Sequence, residues 1–147
     1  MSTPISTGCG GSVRTAVDSS VLLDVLVNDV RFADAAETSL RSAAKAGSLI
    51  VCECVLAEVR PALSESEVDE FLNDLGVIFV PSTRESALLA GTMMQTYLAR
   101  RVTQGARVVA DFLIGAHAMV LADCLLARDR GFYRDYFKNL RVLSPSK

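Results

Sequence analysis

Short apolar runs alternate with stretches of helical period along this chain, and each change of period marks an element. Residues 14–17 form a strand-like run leading into Asp18, after which Val21, Leu22, Val25 and Leu26 recur at helical spacing. A second helix is predicted over 33–45, closed by Gly47, then a buried strand at 49–52 and a helix at 55–59 that Pro61 ends or kinks. Ser64 and Glu67 make a capping box ahead of a Val68, Phe71, Leu72, Leu75 stripe, and Gly76 stops that helix. A third strand at 77–80 precedes Ser82 and Glu85, which read as a second capping box opening a long helix to about residue 101. A further helix at 108–122, a strand at 124–127, a short aromatic helix at 132–137 and a closing strand at 140–143 complete the pattern.

Strands this short and apolar are covered on both faces, and strands that alternate with helices pair in parallel. The expected fold class is α/β, a three-layer α/β/α sandwich with a central, mainly parallel sheet. Ligands on such sheets bind beyond the carboxyl ends of the strands, where Asp18 and Asp129 both stand. With 147 residues, half of them hydrophobic, the chain suits one domain over 13–147. Residues 1–12 are rich in Ser, Thr and Gly without hydrophobic period and read as a flexible or appended leader. Gly8, Gly10 and Gly11 precede a strand instead of following one, the wrong context for a dinucleotide fingerprint.

The formal charge of −2 gives no global attraction to nucleic acid, so such binding must come from local basic patches. Twelve of the fifteen basic residues are Arg, the side chain suited to bidentate phosphate contacts. Cys9, Cys52, Cys54 and Cys124 contain no C-x-x-C pair, and His117 alone could join them, which argues against a zinc site. No signal-peptide pattern opens the chain, so neither a disulfide framework nor secretion is expected and the location reads as cytoplasmic. The apolar stretch 108–127 carries Asp111, His117 and Asp123. Each central Asp would cost about 2.5–3.5 kcal/mol in a bilayer, so a buried helix running into a buried strand explains it better than a membrane span.

Four acids, Asp18, Glu58, Asp111 and Asp129, are aimed by this topology at one sheet edge, with no Lys predicted among them. Taken singly each has an ordinary role. Asp18 can cap a helix, Glu58 can lie solvated beside Arg60, and Asp129 can pair with Arg128 or Arg130. Asp111 is harder to dismiss, because it lies within an apolar helix on a face shared with Gly115, Ala118 and Ala122. Two carboxylates about 4 Å apart repel by roughly 4 kcal/mol at an effective dielectric near 20. A hard divalent cation relieves that repulsion, and oxygen donors with water-completed coordination suit Mg²⁺ or Mn²⁺. Phosphodiester hydrolysis is the leading chemistry for such a site. His117, six residues beyond Asp111 and so about 240° around the helix, belongs to another face. Asp24, one turn after Ser20, is placed where it could border the site, with a solvated helix face the favoured reading.

The run Asp18-Ser19-Ser20-Val21-Leu22-Leu23, Glu58 within Leu56-Ala57-Glu58-Val59, the stretch 109–118 around Asp111 and the stretch 125–133 around Asp129 resemble the successive acidic motifs of PIN-domain ribonucleases, VapC toxins in particular. The resemblance spans 14–143 and implies a PIN fold, Mg²⁺- or Mn²⁺-dependent RNA cleavage, a VapB-type antitoxin partner and a homodimer. By that correspondence Asp18, Glu58, Asp111 and Asp129 are the catalytic metal ligands and Ser20 is a supporting hydroxyl. Ala127 departs from the pattern, since many relatives carry a hydroxyl residue there. An acidic pocket needs a basic rim to hold a polyanion; Arg100, Arg101, Arg107, Arg128, Arg130 and Arg134 are candidates near that edge, with Arg107, Arg128 and Arg130 put forward for RNA binding. Single-stranded or looped RNA suits a cleft, and no DNA-reading motif is present, so DNA contact falls to the antitoxin. Two other readings stay open: a PIN-like module that binds RNA or protein without cutting, and a phosphorylation switch of receiver type. The switch is disfavoured because Ser19 and Ser20 follow Asp18 where a paired acid would stand, and Ser144, not Lys, follows Leu143.

Overall fold

A computed structural model describes residues 12–100 and 109–145. Residues 1–11 of the 1–12 leader, the end of the long helix at Arg101, Arg107 and the expected helix start at Val108 lie outside the described residues. Five strands, β1 (Val13–Val17), β2 (Gly47–Val51), β3 (Val77–Phe79), β4 (Cys124–Leu126) and β5 (Val142–Leu143), form one sheet in the order β3-β2-β1-β4-β5. Every pairing is parallel. Helices α1 (Ser19–Leu26), α2 (Ala33–Ala46), α3 (Glu53–Val59), α4 (Glu65–Leu75), α5 (Arg84–Ala99), α6 (Val109–Leu121) and α7 (Arg130–Tyr136) flank it, giving the expected α/β/α sandwich. α2 packs on β1 and β2, α6 packs on β1 and β4, and α5 backs α6.

The strand order positions the site. From β1 the chain steps outward through β2 to β3, then returns so that β4 enters on the other side of β1. Crossovers leaving β1 and β4 therefore diverge, opening a crevice at the carboxyl ends of these two strands. Asp18 N donates to Leu126 O at 2.9 Å, carrying the β1–β4 ladder one residue beyond β1.

Local signals explain most boundaries. The Ser64–Glu67 capping box is formed, with Glu67 Oε1 accepting from Ser64 N at 2.8 Å, and Gly76 ends α4 at φ 74°, a left-handed conformation that glycine adopts without penalty. The second capping box is shifted by one residue from the Ser82–Glu85 reading. Thr83 caps α5, accepting from Ser86 N at 3.1 Å, while Ser86 Oγ accepts from Thr83 N at 2.9 Å. Ser82 is drawn out of the cap because its N–H donates instead to Glu53 Oε1 at 2.9 Å. Gly115 lets α6 pack closely at one point: a Cβ there would collide with the ring of Phe137, which is itself 2 % exposed. Among the described residues no helix is long and apolar enough to cross a membrane.

His117 is fully buried on α6, and its Nε2–H donates to Val80 O at 2.7 Å, away from the acids. Burial lowers its pKa, outweighing the Val80 bond and the charge of Glu53. The unfolded chain, with an ordinary histidine pKa near 6.5, then takes up a proton that the folded chain refuses. Stability should be flat for this group above about pH 6.5 and fall below it, by at most about 1.4 kcal/mol per pH unit. Urea midpoints at pH 7.5 and pH 5.5 measure the loss, and His117→Gln should remove it; an equal loss in the variant would assign it elsewhere.

Candidate active site

A cavity of about 330 Å³ opens at the β1–β4 switch point, lined by Asp18, Ser20, Asp111, Arg128, Asp129 and Tyr133 among others. Three of the four acids singled out in the sequence thus share one cavity, each delivered by a different element. Asp18 follows β1, Asp111 lies in the first described turn of α6, and Asp129 follows β4 at the N-cap of α7. Glu58, in the last turn of α3, does not line this cavity and is exposed. It is tied in through Ser19, whose Oγ donates to Glu58 Oε1 at 2.7 Å. Nearby, burial pushes the pKa of the Cys54 thiol up, and the charges of Glu53, Glu58 and Asp111 add to the rise.

Asp18 is 8 % exposed and firmly oriented. Its extended backbone makes it the N-cap of α1, and Oδ2 accepts from Ser20 N at 3.3 Å and from Ser20 Oγ at 2.5 Å. Oδ1 accepts from Tyr133 OH at 3.0 Å. A carboxylate offers roughly four lone-pair sites; these donors take three, leaving one on Oδ1. Ser20 Oγ in turn accepts from Arg128 N at 3.4 Å, joining the start of α1 to the β4–α7 turn. Ser20 thus touches both Asp18 and the backbone of Arg128 through its hydroxyl. Ala127, the departure from the resembled pattern, is completely buried at the end of β4.

Three contributors escaped the sequence reading. Ser19 and Tyr133 reach Glu58 and Asp18; the one available signal for Tyr133 was its position one helical turn after Asp129. Asp24 was placed on a solvated face, but it is 5 % exposed, and its Oδ2 lies 3.3 Å from Arg128 Nε. That contact is an ion pair without hydrogen-bond alignment, since Oδ2 has no hydrogen-bond partner. Burial raises the Asp24 pKa, with Arg128 pulling the other way. Of the rim arginines, Arg128 also stacks its guanidinium 4.3 Å from the centroid of the Phe32 ring. Arg130 is exposed at the first position of α7.

Among the described residues no three His, Cys, Asp or Glu side chains stand together closely enough to cage a metal ion. The donor chemistry nevertheless fits a hard cation that keeps most of its water, because Mg²⁺ is commonly held by one or two carboxylates. Asp18 Oδ1, with one lone pair left, and the Asp111 and Asp129 carboxylates in the same cavity are suitable donors. Cys52, by contrast, is buried with its thiol pushed up to about 12 by burial, unsuited to ligation as thiolate.

Comparison with known proteins gives two kinds of likeness. The PIN domain family model matches residues 15–138. Among solved structures, VapBC2 from Rickettsia felis bound to a promoter DNA fragment superposes with a TM-score of 0.69 at 17 % identity, covering 90 % of this chain and 99 % of that one. DNA-bound VapBC from Salmonella typhimurium gives 0.65 at 12 % identity, covering 91 % and 99 %. FitAcB from Neisseria gonorrhoeae gives 0.62 at 17 % identity, covering 89 % and 97 %. At these identities the likeness is one of fold. A comparison with curated protein sequences finds no match.

Proposed function

This chain belongs to the PIN-domain family, and from that premise we propose that it is the toxin of a type II toxin–antitoxin pair, a Mg²⁺- or Mn²⁺-dependent endoribonuclease. PIN domains are generally nucleases that use divalent metals. The observation that carries the reading is the convergence of Asp18, Asp111 and Asp129 on one cavity at the switch point, with Glu58 linked through Ser19. Asp18, Asp111 and Asp129 would hold the ion, with Glu58 acting through water beside them. When bound, such a cation lowers the pKa of water and stabilises charge on phosphate oxygens. The chain's own residues supply orientation: Tyr133 and Ser20 fix the Asp18 carboxylate, and Ser19 fixes one oxygen of Glu58. Arg128 and Arg130 offset the repulsion between an acidic cavity and a polyanion.

A VapB-type antitoxin is the proposed partner, supported by two fold neighbours that are VapBC complexes, both bound to DNA. A homodimer goes with that reading, and contact with operator DNA is assigned to the antitoxin. That no three His, Cys, Asp or Glu side chains among the described residues form a metal cage favours one rival, a PIN-like module that binds RNA or protein without cutting.

Purified protein separated from any antitoxin should cut a looped single-stranded RNA with Mg²⁺ or Mn²⁺. Excess EDTA should abolish cutting, and restored metal should return it. Absence of cutting together with no calorimetric binding of either ion would favour the non-cutting module. Cutting that persists in EDTA would rule out the metal assignment.

A further inference from the structure

We propose that Asp24 and Phe32 are positioning residues that hold the Arg128 guanidinium at the rim of the acidic cavity to receive one RNA phosphate. The proposal rests on the ribonuclease reading above and extends it to residues outside the acidic motifs. Arg128 lines the cavity, and its side chain is held from two sides: Nε stands 3.3 Å from Asp24 Oδ2, and its Cζ lies 4.3 Å above the Phe32 centroid. Stacking on a ring leaves the in-plane N–H groups of a guanidinium available. With Nε turned to Asp24, the two terminal nitrogens keep the fork that matches phosphate oxygens.

The supports themselves are built with care. Asp24 is a 5 % exposed carboxylate whose Oδ2 has no hydrogen bond, a costly group that calls for a reason. Phe32 is delivered by a tight turn in which Asp29 Oδ1 accepts from Arg31 N at 2.8 Å and from Phe32 N at 3.3 Å. Asn28, at φ 52°, lets the chain reverse into that turn. The α1–α2 connection, remote in sequence from Arg128, thus orders an arginine whose side chain is still 42 % exposed. An arginine ordered beforehand loses less rotamer freedom when it meets its ligand.

The test measures binding of a fluorescein-labelled single-stranded RNA by anisotropy, with Mg²⁺, in an Asp111→Asn background so that the RNA stays intact. Adding Asp24→Leu should raise Kd about three- to tenfold. Asp24→Asn, which keeps the side-chain shape and sets a partly negative amide oxygen beside Nε in place of the full charge, should recover part of that loss. Phe32→Leu, which keeps apolar volume in the turn, should raise Kd in the same direction, and melting curves identify any variant that has failed to fold. In an Arg128→Leu background neither change should weaken binding further, an outcome that a purely structural role does not produce. In the cleaving protein, Asp24→Leu should raise KM with kcat within about twofold, since orientation of the bound substrate is the part lost. An unchanged or lower Kd, an equal loss with Arg128 already removed, or no RNA binding by the parent would each overturn the proposal. If the native protein binds RNA in this pattern but never cuts it, the nuclease reading falls and the positioning role stands.

Discussion

Asp18→Asn should leave the protein folded and lower RNA cleavage by at least about 10²- to 10³-fold, the scale seen when one preorganised charge-stabilising group is lost. The fold should survive because Asn caps a helix about as well as Asp, and because the amide can keep its neighbours satisfied. With its oxygen turned to Ser20 N and Oγ, its NH₂ group can donate to the Tyr133 hydroxyl, which rotates to accept. What the substitution removes is the negative charge and the last lone pair on Oδ1, the features through which Asp18 would hold a cation. Cleavage assays at saturating Mg²⁺, run beside circular dichroism and melting curves, separate the two consequences. Near-native cleavage by a folded Asp18→Asn protein would count against the acidic cavity as the catalytic site. Loss of cleavage together with unfolding would shift the weight to Asp111→Asn, whose carboxylate does not cap α1.

Much of this site was legible in the sequence because its parts are anchored to features with a local signature. Asp18 and Asp129 sit where an apolar run gives way to helical period, and that junction places them at the carboxyl end of a strand whatever the neighbouring order. Asp111 was marked by being an acid inside an apolar helix. The order β3-β2-β1-β4-β5 was not legible, since periodicity identifies strands but not their neighbours. The details that depend on that order escaped in consequence. Asp24 reads as solvated until β4 is set beside β1, which brings Arg128 to it and closes the site around it. The same juxtaposition lets Tyr133 reach Asp18. The one-residue shift of the α5 cap has a related cause: a bond from Ser82 N to Glu53, distant in sequence, decided between two local options.

The acids and the core are coupled through α6 and α7. Phe112 follows Asp111 directly and is fully buried, meeting the rings of Phe132, Tyr97 and Tyr136 at centroid distances of 5.1, 5.6 and 5.8 Å, edge to face. Phe132 and Tyr133 are adjacent on α7, so the element that presents a hydroxyl to Asp18 is seated by its neighbour against Phe112. The geometry of the site is therefore set by a hydrophobic contact that touches none of its oxygens.

Phe112→Ala should consequently be the most destabilising of the single changes considered, costing about 3–5 kcal/mol for lost transfer energy and the cavity left behind. That is about a fifth or more of the stability of an ordinary domain, which is about 5–15 kcal/mol. For a chain of this size the melting temperature should fall by roughly 6–20 °C. Phe112→Leu, which fills most of the space but gives up the aromatic edges, should cost less than half as much. The seat of α6 against α7 has a second readout. At a temperature where Phe112→Ala is still folded, cleavage should drop well beyond the unfolded fraction, because Asp111 and Tyr133 both lose their support. Urea midpoints give the first quantity, and cleavage rates corrected for the folded population give the second. A variant with full stability would mean that the aromatic cluster closes over the gap, and one with lowered stability but native cleavage per folded molecule would separate the core from the geometry of the acids.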